Sequence, residues 1–158
     1  SNELIYEKLF DEKILLAVPI DHPFNKTVNK TEPNSFGTAK LSWFKDDKFI
    51  LMKEGHRFRT IQDNLFRQAN FEPKVVFQSR SSETIQSFVT GGLGIGFISE
   101  LLQRNTSPEW QSVYYHLEDV DAKREHVVVY CKNGYLSYAS KAFISLAKQI
   151  FTKKELLE

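Results

Sequence analysis

One cysteine and one methionine stand among the 158 residues. A single cysteine, Cys131, rules out a disulfide framework within the chain. It ends the apolar run "EHVVVYC", where it reads as a buried, inert thiol behaving as a small hydrophobe. Such a thiol suits a reducing, cytoplasmic setting. Histidine is sparse as well: His22, His56, His116 and His126 share no ligand-like spacing, and Cys131 has no second ligand close to it in sequence. The sets that zinc requires are not met, so neither a metal nor a cofactor is expected. Net charge is nearly absent, at +1, which gives no whole-chain pull toward nucleic acid. No apolar run reaches the length of a membrane span. G-x-S-x-G, the P-loop and H-E-x-x-H are all missing, and the acidic turn at Glu118, Asp119 and Asp121 reads as a solvated loop. The chain is not expected to be an enzyme.

What is present is a sizeable core: apolar residues make up 41% of the chain, and thirteen are phenylalanine. "KILLAVP" (13–19) is a continuous apolar run, typical of a strand buried on both faces. The polar stretch from 20 to 40 has loop composition. "LSWF" reads as a short helical turn and "KFILM" (48–52) as a strand. Phe58, Ile61 and Leu65 set a helix beginning near Arg57. It closes near Asn70, a good left-handed residue, with Pro73 just beyond. "KVVFQS" is a strand, Ser81 or Ser82 caps the next helix, and "SELLQ" follows as a short helix capped by Ser99. "SVYYHL" and "EHVVVYC" are strands, the latter buried. Ala139, Phe143, Leu146, Ala147 and Ile150 put one apolar face on a C-terminal helix. Alternating strands and helices predict an α/β architecture with a mainly parallel sheet and flanking helices.

Within "TIQSFVTGGLGIGFISELL" (84–102), Ile85, Phe88 and Val89 mark a helix, and "IGFI" marks a buried strand. Gly91 or Gly92 is suited to the left-handed closure of the helix. Gly94 and Gly96 permit close backbone approach. The spacing and the helix-before-strand order both disagree with a dinucleotide fingerprint.

"GHRFRT" (55–60) lies where a strand hands over to a helix. Free N–H groups and the helix dipole favour an anion there, and Arg57 and Arg59 supply guanidinium forks for a carboxylate or phosphate. "SRSSE" (79–83) is a second such junction. Ligands of open α/β sheets bind at the carboxyl ends of strands. Two readings stay open at this point: a small-anion pocket, or surface arginines beside serines that only cap.

Taken in order, "LFDEKILLAVPIDHPF", the segment from "DDKFILMKEGHRFRT" to "GGLGIGFISELL", and "REHVVVYCKNGYLSYASKAFISLAKQI" resemble the effector-binding domain of LysR-type transcriptional regulators. The resemblance implies a type 2 periplasmic-binding-protein-like fold, with two α/β lobes joined by two crossing strands. It assigns residues 20–125 to lobe II, and 1–19 with 126–158 to part of lobe I. It implies that a winged helix-turn-helix and the first part of lobe I lie outside this chain, so that DNA is reached only through a separate domain. The implied partners are a small effector held between the lobes, a carboxylate in view of the arginines, and further copies in a dimer or tetramer. The positions carried over as effector contacts are His56, Arg57, Phe58, Ser81 and Arg124. A periplasmic solute-binding protein for a small anion is the alternative with the same fold.

Overall fold

The computed structural model describes residues 3–28, 36–106 and 111–155. The chain divides into two compact units: Lys13–Lys123, and Ser1–Glu12 with Arg124–Glu158. Two strands run from one unit into the other. The first, β1, spans Leu4–Pro19.

In the larger unit, α1 (Pro23–Thr27) and β2 (Phe36–Ala39) follow β1. A 3₁₀ turn at Leu41–Phe44 leads into β3 (Lys48–Met52) and α2 (Arg57–Gln68). Next come β4 (Lys74–Ser79), α3 (Ser82–Thr90), β5 (Ile95–Ser99), α4 (Glu100–Arg104) and β6 (Ser112–Leu117). The strand order is β2-β6-β1-β5-β3-β4. Parallel pairs join β2 to β6, β3 to β4 and β3 to β5. The sheet is nevertheless mixed, because β1 runs antiparallel to both its neighbours, β5 and β6. Its residues Ile14 to Val18 are at most 1% exposed, as a strand covered on both faces requires. Phe49, Phe66, Phe97, Ile85, Val89 and Tyr115 complete the same core.

The glycines of 91–96 divide their work. Gly92 takes φ 77° at the end of α3, whereas Gly91 stays at φ −75°. A Cβ at Gly94 would stand 2.5 Å from the Lys48 carbonyl oxygen, and one at Gly96 would stand 2.9 Å from Ile85 Cγ2. Those two glycines let β5 come close to β3 and α3. Asn70 takes φ 57° just past α2, the left-handed closure that its short amide side chain tolerates.

The stretch read as loop from 20 to 40 contains two regular elements; its residues 29–35 lie outside the described residues. His22 caps α1 by accepting the Phe24 amide on Nδ1. Asn25 is fully buried, its amide held by the Pro19 and Ile20 carbonyls and its oxygen by the Tyr115 hydroxyl. Polar composition concealed a helix that closes on buried hydrogen bonds, and a strand, β2, whose strand partner among the described residues is distant β6.

In the smaller unit, β7 (Lys123–Cys131) pairs with β1, and α5 spans Tyr138–Glu155. One expectation needs correction here. The run "EHVVVYC" is not a buried strand: Val129 is 44% exposed and Cys131 is exposed. The apolar face of α5 is mostly uncovered by the described residues. Ala147 is buried, while Phe143, Leu146 and Ile150 are exposed. An apolar pattern reports which side of an element seeks cover, not whether the described residues supply it.

Candidate functional site

The register gathers three helix starts at one edge of the larger unit. Met52, the last residue of β3, pairs with Ser79, the last of β4. β5 runs parallel to β3 and ends at Ser99, opposite Ile14 of antiparallel β1. The carboxyl ends of β3, β4 and β5 therefore face the same way, and α2, α3 and α4 begin from them. Their caps are His56, Ser81 and Ser99, whose side chains accept from the amides of Phe58, Thr84 and Leu102.

At α2, Gly55 (φ 83°) turns the chain and the His56 amide donates to the Lys53 carbonyl. His56 Nδ1 accepts the Phe58 amide at 3.1 Å, so the neutral ring carries its proton on Nε2. Arg57 is exposed; neither its guanidinium nor its amide has a partner among the described residues. Two residues on, Arg59 is committed. Its Nε donates to Asp63 at 2.7 Å and its Nη1 to the Met52 carbonyl at 3.0 Å. Phe58 sits in the core at 3% exposure. Three neighbouring residues of "GHRFRT" thus point to three tasks: one cation outward, one aromatic inward, one cation bracing the strand end.

At α3, the Ser81 hydroxyl donates to Glu83 at 2.7 Å while accepting the Thr84 amide at 3.1 Å. That hydroxyl, with the residue's own amide, holds the Glu83 carboxyl below its ordinary value against a small opposing effect of burial. The start of α3 therefore already carries a carboxylate, placed well for the helix dipole.

Arg124 lies in the smaller unit. Its Nε stands 2.5 Å from Glu12, a side chain 2% exposed, and His126 Nε2 stands 2.7 Å from the same oxygen. His56, Arg57 and Ser81 share one edge of the larger unit, Phe58 lies beneath it, and Arg124 belongs to an ion-paired cluster in the other unit.

Two polar residues escaped the sequence reading. Gln62 is fully buried on α2, its Oε1 accepting the Met52 amide at 3.0 Å and its Nε2 without a partner among the described residues. Glu12 carried one signal, an acidic residue at the edge of an apolar run. No group of three or more His, Cys, Asp or Glu among the described residues is placed to hold a metal. No helix there is long and apolar enough to cross a membrane.

Open α/β sheets commonly bind small ligands where helix starts gather at the carboxyl ends of strands. The chain belongs to the LysR substrate binding domain family, whose model matches residues 1–152. It is 29% identical to the transcriptional dual regulator GltC of Bacillus subtilis (strain 168), covering 93% of this chain and 46% of that one. The chain thus spans about half the length of that regulator. Its fold matches the Synechocystis PCC6803 CcmR regulatory domain, solved in complex with 2-PG, at TM-score 0.79 and 19% identity, covering 96% of this chain and 68% of that one. It also matches the BenM effector binding domain, solved with its effector benzoate, at TM-score 0.76 and 21% identity, covering 100% and 68%. The family's proteins are transcriptional regulators, not enzymes.

Proposed function

We propose that this chain is the effector-sensing part of a LysR-type transcriptional regulator, and that its effector is a small anion, a carboxylate by preference. The observation that carries the reading is Arg57: an exposed guanidinium and an unpartnered amide at the first residue of a twelve-residue helix. Helix dipole, amide and fork coincide there. In this reading His56 offers its Nε2 proton to the anion. Phe58 anchors the helix from the core. Ser81 acts through its cap, since its hydroxyl is already spent on Glu83 and Thr84. Arg124 is a weaker candidate for direct contact, because drawing it away would strip a buried carboxylate of its counter-charge.

By the same reading the larger unit corresponds to lobe II and the smaller to part of lobe I. The whole regulator would work in the cytoplasm as a dimer or tetramer, meeting promoter DNA through a separate winged helix-turn-helix. That BenM was solved with benzoate, a carboxylate, as its effector supports the ligand class.

A thermal-shift panel tests the proposal. Mono-, di- and tricarboxylates, inorganic phosphate and a neutral sugar are offered to the chain and to Arg57→Ala. A ligand that binds only the folded state raises its melting temperature by mass action. A shift from a carboxylate that vanishes in Arg57→Ala supports the reading. A shift that survives that substitution, or one given only by the neutral sugar, refutes it.

A further inference from the structure

The smaller unit holds a cluster that the effector reading does not use. Glu12 is its last residue before the chain first crosses into the larger unit, and Arg124 is its first after the chain returns. The Glu12 carboxylate is almost wholly buried and is shared by Arg124 Nε at 2.5 Å and His126 Nε2 at 2.7 Å. Phe10 stacks on the His126 ring at 4.4 Å, nearly parallel at 4°, and on Phe151 of α5 at 4.2 Å. The cluster thus binds β1, β7 and α5 at the point where both chain segments leave the unit. On the other side of the crossing, within the larger unit, the same two segments are joined by the Ile14 amide donating to the Ala122 carbonyl at 2.8 Å.

Two other ion pairs of these strands differ in kind, and the Glu7 carboxylate, shared by Lys148 and Tyr130, is more exposed than that of Glu12. Lys8–Asp11 and Lys132–Glu3 are exposed on both partners, and such pairs contribute little. A buried carboxylate is another matter: with its partners it is stable, and without them it is strongly unfavourable. The arrangement is therefore close to all-or-none, which suits a latch better than a graded surface contact.

We infer that Glu12 is a positioning residue that latches the two crossings: by holding Arg124 and His126 it fixes how β1 and β7 leave the smaller unit, and so limits the freedom of the two units to reorient. Hinges of ligand-closing proteins are a few residues that absorb the change in backbone angle; Glu12 lies within β1, at the boundary between the two units. It acts without touching a ligand, and the latch stands whether or not Arg57 holds an anion.

Electron–electron distance measurement on the 158-residue chain tests it. Cys131 is exposed and is the chain's only cysteine, so it takes one spin label. Glu72→Cys, an exposed site in the larger unit, takes the other. Glu12→Gln is expected to widen the distance distribution relative to the native latch and to speed amide exchange in residues 4–12 and 124–131. Lys8→Ala, which removes a surface pair on the same strand, leaves both unchanged. A distribution of native width in Glu12→Gln overturns the inference, as does equal widening in Lys8→Ala. If Glu12→Gln fails to fold, His126→Phe decides. It keeps an aromatic ring against Phe10 and removes only the hydrogen bond to Glu12; a widened distribution supports the latch, and a native one overturns it.

Discussion

Arg59 donates to the Met52 carbonyl at 3.0 Å, from a side chain only 12% exposed, and its second nitrogen is held by Asp63. It is a brace for the end of β3, whereas the Arg57 guanidinium has no hydrogen-bond or ion-pair partner among the described residues. The two arginines should separate cleanly in a denaturation series. Arg59→Ala is expected to cost about 1.5–3 kcal/mol, the range for a charge-assisted hydrogen bond. Arg57→Ala should leave the urea midpoint within experimental scatter. Equal losses in both would mean that Arg57 is also structural.

The glycines of the helix-to-strand turn make a second test. Gly94→Ala places a Cβ against the Lys48 carbonyl, where backbone has little room to yield. A loss of about 1–3 kcal/mol is expected, as for overpacked cores. Gly92→Ala meets no neighbour but keeps φ 77°, so its cost should be the smaller one of a left-handed alanine, roughly 1–2 kcal/mol. A costless Gly94→Ala would show that β3 and β5 are less closely apposed than described.

Asp119 provides a pH dependence. Burial alone would raise its pKa. The amides of Ser42 and Leu41, aided by the Ser42 hydroxyl, outweigh that and hold it below the ordinary value. A depressed carboxyl stabilises the fold fully above its unfolded pKa, near 4, and loses that contribution as pH falls through the folded value. The native chain should therefore exceed Asp119→Asn in stability at neutral pH. The gap should shrink progressively once the pH drops below about 4. Urea titrations of both proteins across that window check it, and a gap that is constant with pH would contradict the assignment.

Cys131 should react with a thiol reagent under native conditions at a rate that added denaturant barely changes, since it is exposed at the end of β7. Strong acceleration on unfolding would restore the buried thiol suggested by its apolar neighbours.

How far each feature was legible follows from where its determinants lie. β1's buried half, α2, α3 and β5 were readable because apolar period and cap residues sit within each segment: Ser81, Asn70 and Gly92 all act within a turn of where they stand. α1 and β2 were not, since Asn25 is held by Tyr115 and β2 by β6, partners far along the chain. The burial of β7 was misread for a related reason. Val127, Val128 and Val129 state a preference for cover, and only the assembled unit shows how much is met. The start of α2 at Arg57 was legible because a helix start is a local event. The different tasks of Arg57 and Arg59 were not, because two residues along a helix is a large rotation about its axis, and the sequence shows only two arginines. Glu12 shows only as an acidic residue beside an apolar run, and its partner Arg124 lies 112 positions away.

The most direct test of the sensing account is calorimetry of the carboxylate that most stabilises the chain, titrated into the native sequence and into Arg57→Ala. Losing one partner of a hydrogen-bonded charge pair costs about 2–5 kcal/mol, so binding is expected to weaken by about thirtyfold or more while the melting temperature without ligand stays unchanged. Native affinity in Arg57→Ala would contradict the account and leave that arginine a surface charge.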